Sequence, residues 1–208
     1  MKKTPFLFYL SFMFALLYGC ASTLPEKNMA TTSFNKDHFK QHMVLINNSG
    51  EAIELSTING LKIPKRSNQE VFVDSYIQAV VTKNTGLITY QINSLVEYKD
   101  HDKRLYKQVS YNTPTGNETK DANIFDHTIS CQGSAYSGCR HTEHIVFTVD
   151  PELLESIADS YNGDTQSKWR YQLSPNTGRS HFAFLPLAEI AAIVEAATVE
   201  KTGHHFGN

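Results

Sequence analysis

The chain has few cysteines, no long apolar stretch and no basic cluster, and each scarcity excludes something. A membrane-spanning helix needs about 20 apolar residues, whereas the longest run here, Phe6 to Leu17, holds twelve. The 19 Lys and Arg side chains are scattered among 21 Asp and Glu, for a formal charge of −2. Nucleic acid needs a basic stripe or patch, so it is not an expected partner. No glycine-rich phosphate loop or dinucleotide fingerprint occurs, and no cofactor is expected. There is no Gly-x-Ser-x-Gly elbow for a serine nucleophile. No internal repeat marks a solenoid or propeller. Three cysteines, Cys20, Cys131 and Cys139, leave one over after any internal pair.

The odd cysteine has a distinctive setting. Lys2 and Lys3 give a positive start, the run to Leu17 follows, and Leu17-Tyr18-Gly19-Cys20 closes it. Too short to span, the run reads as the apolar core of a secretory leader. The closing four residues resemble the bacterial lipobox, in which a small residue precedes an invariant cysteine. Tyr18 departs from the small residue usual two places before that cysteine. The resemblance implies that residues 1–19 are removed and that Cys20 carries acyl chains. Each buried CH₂ contributes about 0.8 kcal/mol, and stable anchoring takes more than one chain. Ala21, which is not acidic, implies by the same resemblance passage to the outer membrane, on its periplasmic side. Losing Lys2 and Lys3 deepens the slight acidic excess.

With Cys20 lipidated, Cys131 and Cys139 remain as an even pair around a Gly- and Ser-rich loop. In an exported chain such a pair is expected to be oxidised. Free thiols or metal ligation are the alternatives.

Residues 20–40 are polar and aperiodic and read as a tether after the lipidated cysteine. Residues 41–200 read as a single α+β domain, and 201–208 as a disordered tail. Within the domain, β-branched runs around Asn47-Asn48-Ser49-Gly50 predict a hairpin. Three further strand patterns follow over 70–82, 86–100 and 103–112. In the middle one Ile88, Tyr90, Ile92, Ser94, Val96 and Tyr98 share one face; Thr89, Gln91, Asn93 and Glu97 share the other, with Leu95 an exception. Residues 112–123 read as a polar loop, and 141–150 as a strand. Asp150-Pro151-Glu152 starts a helix with a Leu153, Leu154, Ile157, Ala158, Tyr161 stripe. Trp169, Tyr171 and Leu173 alternate on another strand. Pro186 opens a second helix, with Leu187, Ile190, Ala191, Val194 and Ala197 on one face. The expected fold is a mainly antiparallel sheet of seven to nine strands with two late amphipathic helices packed on it.

Candidate chemistry is sparse. Cys131, Cys139, His141, Glu143 and His144 form the densest set of metal-ligand types. Strand alternation turns His141 and Glu143 one way and His144 the other, so no metal is expected. His204-His205 lacks preorganisation. Ser180-His181 cannot form a dyad on a strand, for the same alternation. Asp100, Asp102 and Asp126 read as solvated loop carboxylates, and no catalytic residue is assigned. Tyr76, Tyr90, Tyr98, Tyr106, Tyr111 and Tyr136 suit a binding surface, although strand tyrosines at this spacing equally pack a core.

The order Cys131, Cys139, Glu143, strand, Asp-Pro helix, Trp169-x-Tyr171-x-Leu173, glycine turn and Pro-led terminal helix is similar to uncharacterised bacterial envelope lipoproteins, which bring no known activity with them. The expectation is a non-catalytic binding or scaffold domain, anchored to the membrane by lipid, with an envelope protein or glycan as partner. An envelope hydrolase and a small-ligand carrier are the alternatives.

Overall fold

Alternating burial along residues 71–100 produces the longest hairpin among the described residues. β3 (Val71–Thr82) and β4 (Ile88–Asp100) run antiparallel, with Val81 opposite Ile88 and Val71 opposite Tyr98. The turn between them closes through Thr82 N–H to Leu87 O and Gly86 N–H to Thr82 O. The computed structural model describes residues 34–48, 50–60, 71–131 and 138–205. The expected leader, Cys20, Tyr136 and the centre of the Cys131–Cys139 loop lie outside these residues. The described residues all belong to one compact unit, Ser33–Asn208.

β1 (Val44–Asn48), β2 (Ala52–Ser56), β7 (Asn123–Ser130) and β8 (Cys139–Val149) complete a six-stranded sheet ordered β1-β2-β3-β4-β8-β7. A second sheet of four is ordered β10-β9-β5-β6, from β5 (Tyr106–Thr113), β6 (Gly116–Asp121), β9 (Lys168–Pro175) and β10 (His181–Pro186). Every pairing is antiparallel. The α+β class, the antiparallel pairing and the two late helices, α2 (Pro151–Asp159) and α3 (Leu187–His205), are as the sequence predicts. The described strands number ten, and they divide into two sheets. The stretch that reads as a polar loop is instead a hairpin: β6 pairs with β5 from Thr113 opposite Gly116 to Gln108 opposite Asp121. Its GNETKD sequence is polar on both faces because it is an edge strand that covers no core, so no alternation reveals it.

The inner faces of both sheets enclose one core that includes Ile77, Tyr90, Ile92, Phe147, Leu173 and Leu185. Between the sheets, three hydroxyls close a ring. Tyr171 donates to Ser75 at 2.7 Å, its oxygen lies 2.8 Å from Ser94, and the two serines are 3.2 Å apart. Each buried hydroxyl thereby has partners, as a polar group in a core requires.

One helix departs from the sequence expectation. α1 (Lys36–Gln41) occupies the end of the stretch that reads as tether, with Asn35 capping it by accepting the His38 N–H at 2.9 Å. Its single buried side chain, Phe39, packs with Ala188 and Ala192 of α3. Lys36 and Lys40 both pair with Glu195. This second contact explains α3. Ala188 and Ala192 are buried beyond the expected stripe because α1 covers a flank that a one-sided reading leaves wet, while Ile193 joins the main core. α3 also continues to His205, five residues into the expected tail, with Thr198 and Thr202 hydroxyls bonding back to Val194 and Thr198 carbonyls. At Gly60 an added Cβ would lie 2.5 Å from the Phe39 ring. Gly60→Ala is therefore expected to lower stability by about 1–3 kcal/mol in urea unfolding; an unchanged midpoint would contradict the docking of α1.

In the first turn of α3, Glu189 is buried at 1% exposure. One carboxyl oxygen accepts the Thr57 hydroxyl, and the other has no hydrogen-bond partner among the described residues. Burial, aided by Asp74, pushes this carboxyl up to about 8.

Candidate functional site

The inner face of the six-stranded sheet is committed to the core, so its outer face is where side chains remain for binding. Tyr76 of β3 stands opposite Asn93 of β4, and Leu95 of β4 opposite His144 of β8. On β7 the register slips between Ile124 and Asp126, so Phe125 is an extra residue. A bulge of this kind re-aims a side chain. Here it leaves Phe125 77% exposed, its ring 5.4 Å from His144 at 72°. Tyr76 lies on the other side of His144, 6.4 Å away at 38°. Three rings thus follow one another in a row.

A hydrogen-bond chain runs beside them. Asn93 Nδ2 donates to Gln78 Oε1 at 2.8 Å, which makes Asn93 Oδ1 the acceptor for His144 Nε2 at 3.0 Å. His144 is therefore protonated on Nε2, and its Nδ1 is an acceptor. Burial holds this imidazole below its ordinary range, against the opposing pull of Asp126. Asn93 is almost fully buried under its neighbours, while Leu95 is 39% exposed.

The inner side of the same strands carries the second polar cluster. Glu143 of β8 is fully buried. It accepts three bonds: the Tyr98 hydroxyl, the Leu105 N–H at 3.0 Å and the Tyr106 N–H at 3.0 Å. Leu105 has φ of 55°, a left-handed conformation that costs a non-glycine residue about 1–2 kcal/mol. The buried carboxylate fixes that turn. Arg104 next to it donates to Asp100 at 3.0 Å and lies 4.8 Å over the Tyr98 ring. The guanidinium holds the Asp100 carboxyl below its ordinary range. His141 stacks on Tyr98 at 5.1 Å and contacts Asp100 O and His127 Nε2, each at 3.2 Å. Cys131 and Cys139 are disulfide-bonded with Cα atoms 4.4 Å apart, and Cys139 stands opposite Asp100. Gly138, at φ of 68°, lies close against Asp100, where a Cβ would meet the carbonyl oxygen at 3.0 Å.

The metal-type residues therefore divide. The cysteines are bonded to each other, His141 and Glu143 face inward, and His144 faces outward. Among the described residues no group of three or more His, Cys, Asp or Glu could hold a metal ion. Ser180 turns to Ser174 at 3.1 Å and His181 to Arg104 at 3.4 Å, so the adjacent pair does not act together. Asp126 lies on β7 rather than in a loop and accepts the His127 N–H. Of the tyrosines that suit a binding surface, Tyr90, Tyr98, Tyr106 and Tyr111 are core residues, because each falls on the apolar side of its strand. Tyr76 alone of the described ones stands on the outer face. Phe125, Asn93 and Gln78 carry no signal in the sequence that singles them out for a site. The outward turn of Phe125 depends on a bulge, which leaves no trace in an alternation pattern.

Comparison of the chain with protein-family models, with curated proteins and with solved structures finds no match.

Proposed function

We propose that this chain is a lipid-anchored bacterial envelope protein whose folded domain is a non-catalytic binding module. On this reading Cys20 carries the acyl chains, the domain faces the periplasm from the outer membrane, and the outer face of the six-stranded sheet takes the partner. The observation that carries the binding half is the row Tyr76–His144–Phe125 with Leu95 beside it. Aromatic side chains with a polar edge are enriched where surfaces bind. Phe125, exposed at 77%, is an apolar group placed by a backbone irregularity rather than by packing. The hydrolase alternative requires a histidine working on a serine or an acid. The hydrogen bonds of the His38, His42, His127, His141 and His144 rings run instead to backbone carbonyls, to Asn93 and to one another.

Two substitutions test the two halves. Cys20→Ser is expected to move the chain from the membrane fraction to the soluble one, and unchanged fractionation would defeat the lipid anchor. When the purified released chain is added back at high concentration to isolated cell envelopes, it is expected to bind them, and Phe125→Glu is expected to abolish that binding. Lys201→Glu, on the exposed end of α3, is expected to leave it intact. Equal effects of the two would remove the outer face from consideration.

A further inference from the structure

We propose that the ring row on the outer sheet face is a subsite for an uncharged glycan chain, an inference that rests on the binding-module reading above. Sugar rings present apolar C–H faces and a rim of hydroxyls that both donate and accept. A matching surface needs aromatic faces next to polar groups of both kinds, held in place before binding. Ring centroids here follow one another at 6.4 and 5.4 Å, close to the repeat of successive pyranose units along an extended chain. The phenyl and imidazole planes meet at 72°, so the pair forms a step that a sugar edge can abut.

The polar groups beside this step are fixed in sense. Asn93 is held on both sides, by Gln78 at 2.8 Å and His144 at 3.0 Å. That chain of bonds leaves His144 Nδ1 as an acceptor and the Gln78 amide N–H groups as donors. Neither His144 nor Gln78 needs to reorganise to meet a hydroxyl. A neutral imidazole, which burial favours, keeps the Nδ1 acceptor available at neutral pH.

Charge selects the class of glycan. Leu95, His144 and Asp126 stand in register across three strands, so the charged side chain in line with the His144 ring is acidic. Arg140, farther along β8, is paired with Glu97. A phosphate, sulfate or uronate beside His144 would meet the Asp126 carboxylate and no described cation in register. The occupant that fits is uncharged.

The test titrates the purified full-length chain, in detergent, with two uncharged tetramers, β-1,4-linked N-acetylglucosamine and β-1,4-linked glucose. A tetramer of galacturonate serves as the anionic comparison. Saturable shifts of the Phe125, Asn93 and His144 resonances are expected with at least one uncharged tetramer at or below about 1 mM. Phe125→Ala and Gln78→Ala are each expected to weaken binding by roughly tenfold. Both side chains lie outside the core, so the fold survives. Absence of shifts with both uncharged tetramers, or preference for the galacturonate, overturns the assignment. A protein captured in cells from position 125 would likewise overturn it, while leaving the binding-module reading standing.

Discussion

Glu189 is expected to cost the fold stability as pH rises from about 4.5 to about 8, and Glu189→Gln is expected to remove that loss. Unfolded, Glu189 releases its proton near its ordinary value of 4.5; folded, it holds it up to about 8. Between these values the native chain binds one more proton than the unfolded chain, so stability falls as pH rises. The contribution is fully present below about 4.5 and fully lost above about 8. The whole change is on the order of 5 kcal/mol. The amide introduced by Glu189→Gln retains an acceptor for the Thr57 hydroxyl and carries no charge to desolvate. Urea midpoints measured at both ends of the range check this. A slope identical in wild type and variant would show that some other group carries it. A carboxyl whose ionisation burial opposes, at the start of a helix that bears on the sheet and on α1, makes the α3 packing sensitive to alkali.

The second large effect lies at Glu143. Glu143→Ala would leave the Tyr98 hydroxyl and two backbone N–H groups without their acceptor in a buried place, with Leu105 still at its unfavourable φ. The expected loss is about 3–5 kcal/mol. Leu105→Gly alone removes the left-handed penalty and is expected to raise stability by about 1 kcal/mol. Combined, the two changes are expected to cost less than their sum, since the turn no longer needs the carboxylate to hold it. Strict additivity in denaturant unfolding would mean that Glu143 does not hold the Leu105 turn. In the sequence Glu143 reads as a metal-ligand type on a strand, sharing a face with His141, and that facing is correct. What it bonds to lies in the turn after β4, about forty residues away in sequence, and no local pattern records that.

Legibility follows the range of the physics. Alternation is local, and it identifies β3, β4, β8 and β9 together with the division of β4 into a dry and a wet face. Helix starts are local too, and Asp150-Pro151 marks α2. The edge strand β6 escapes because it buries nothing. α1 escapes because only one of its side chains, Phe39, is buried, and a single apolar residue has no period. The extended flank of α3 escapes with it, since Ala188 and Ala192 become core residues only where α1 sits against them. The candidate site is the least legible part. Tyr76 and His144 stand out in the sequence, but as members of a tyrosine set and a metal set. The register of four strands and one bulge brings them beside Phe125 and Asn93.

The measurement that bears most directly on the outer face as the binding face is photo-crosslinking in living cells. A photoreactive amino acid is placed at position 125 and, in a second strain, at position 201. Adducts with one envelope component from position 125, and none from position 201, are what the account requires. Adducts from position 201 alone, or from neither site under conditions where the chain is membrane-associated, would contradict it.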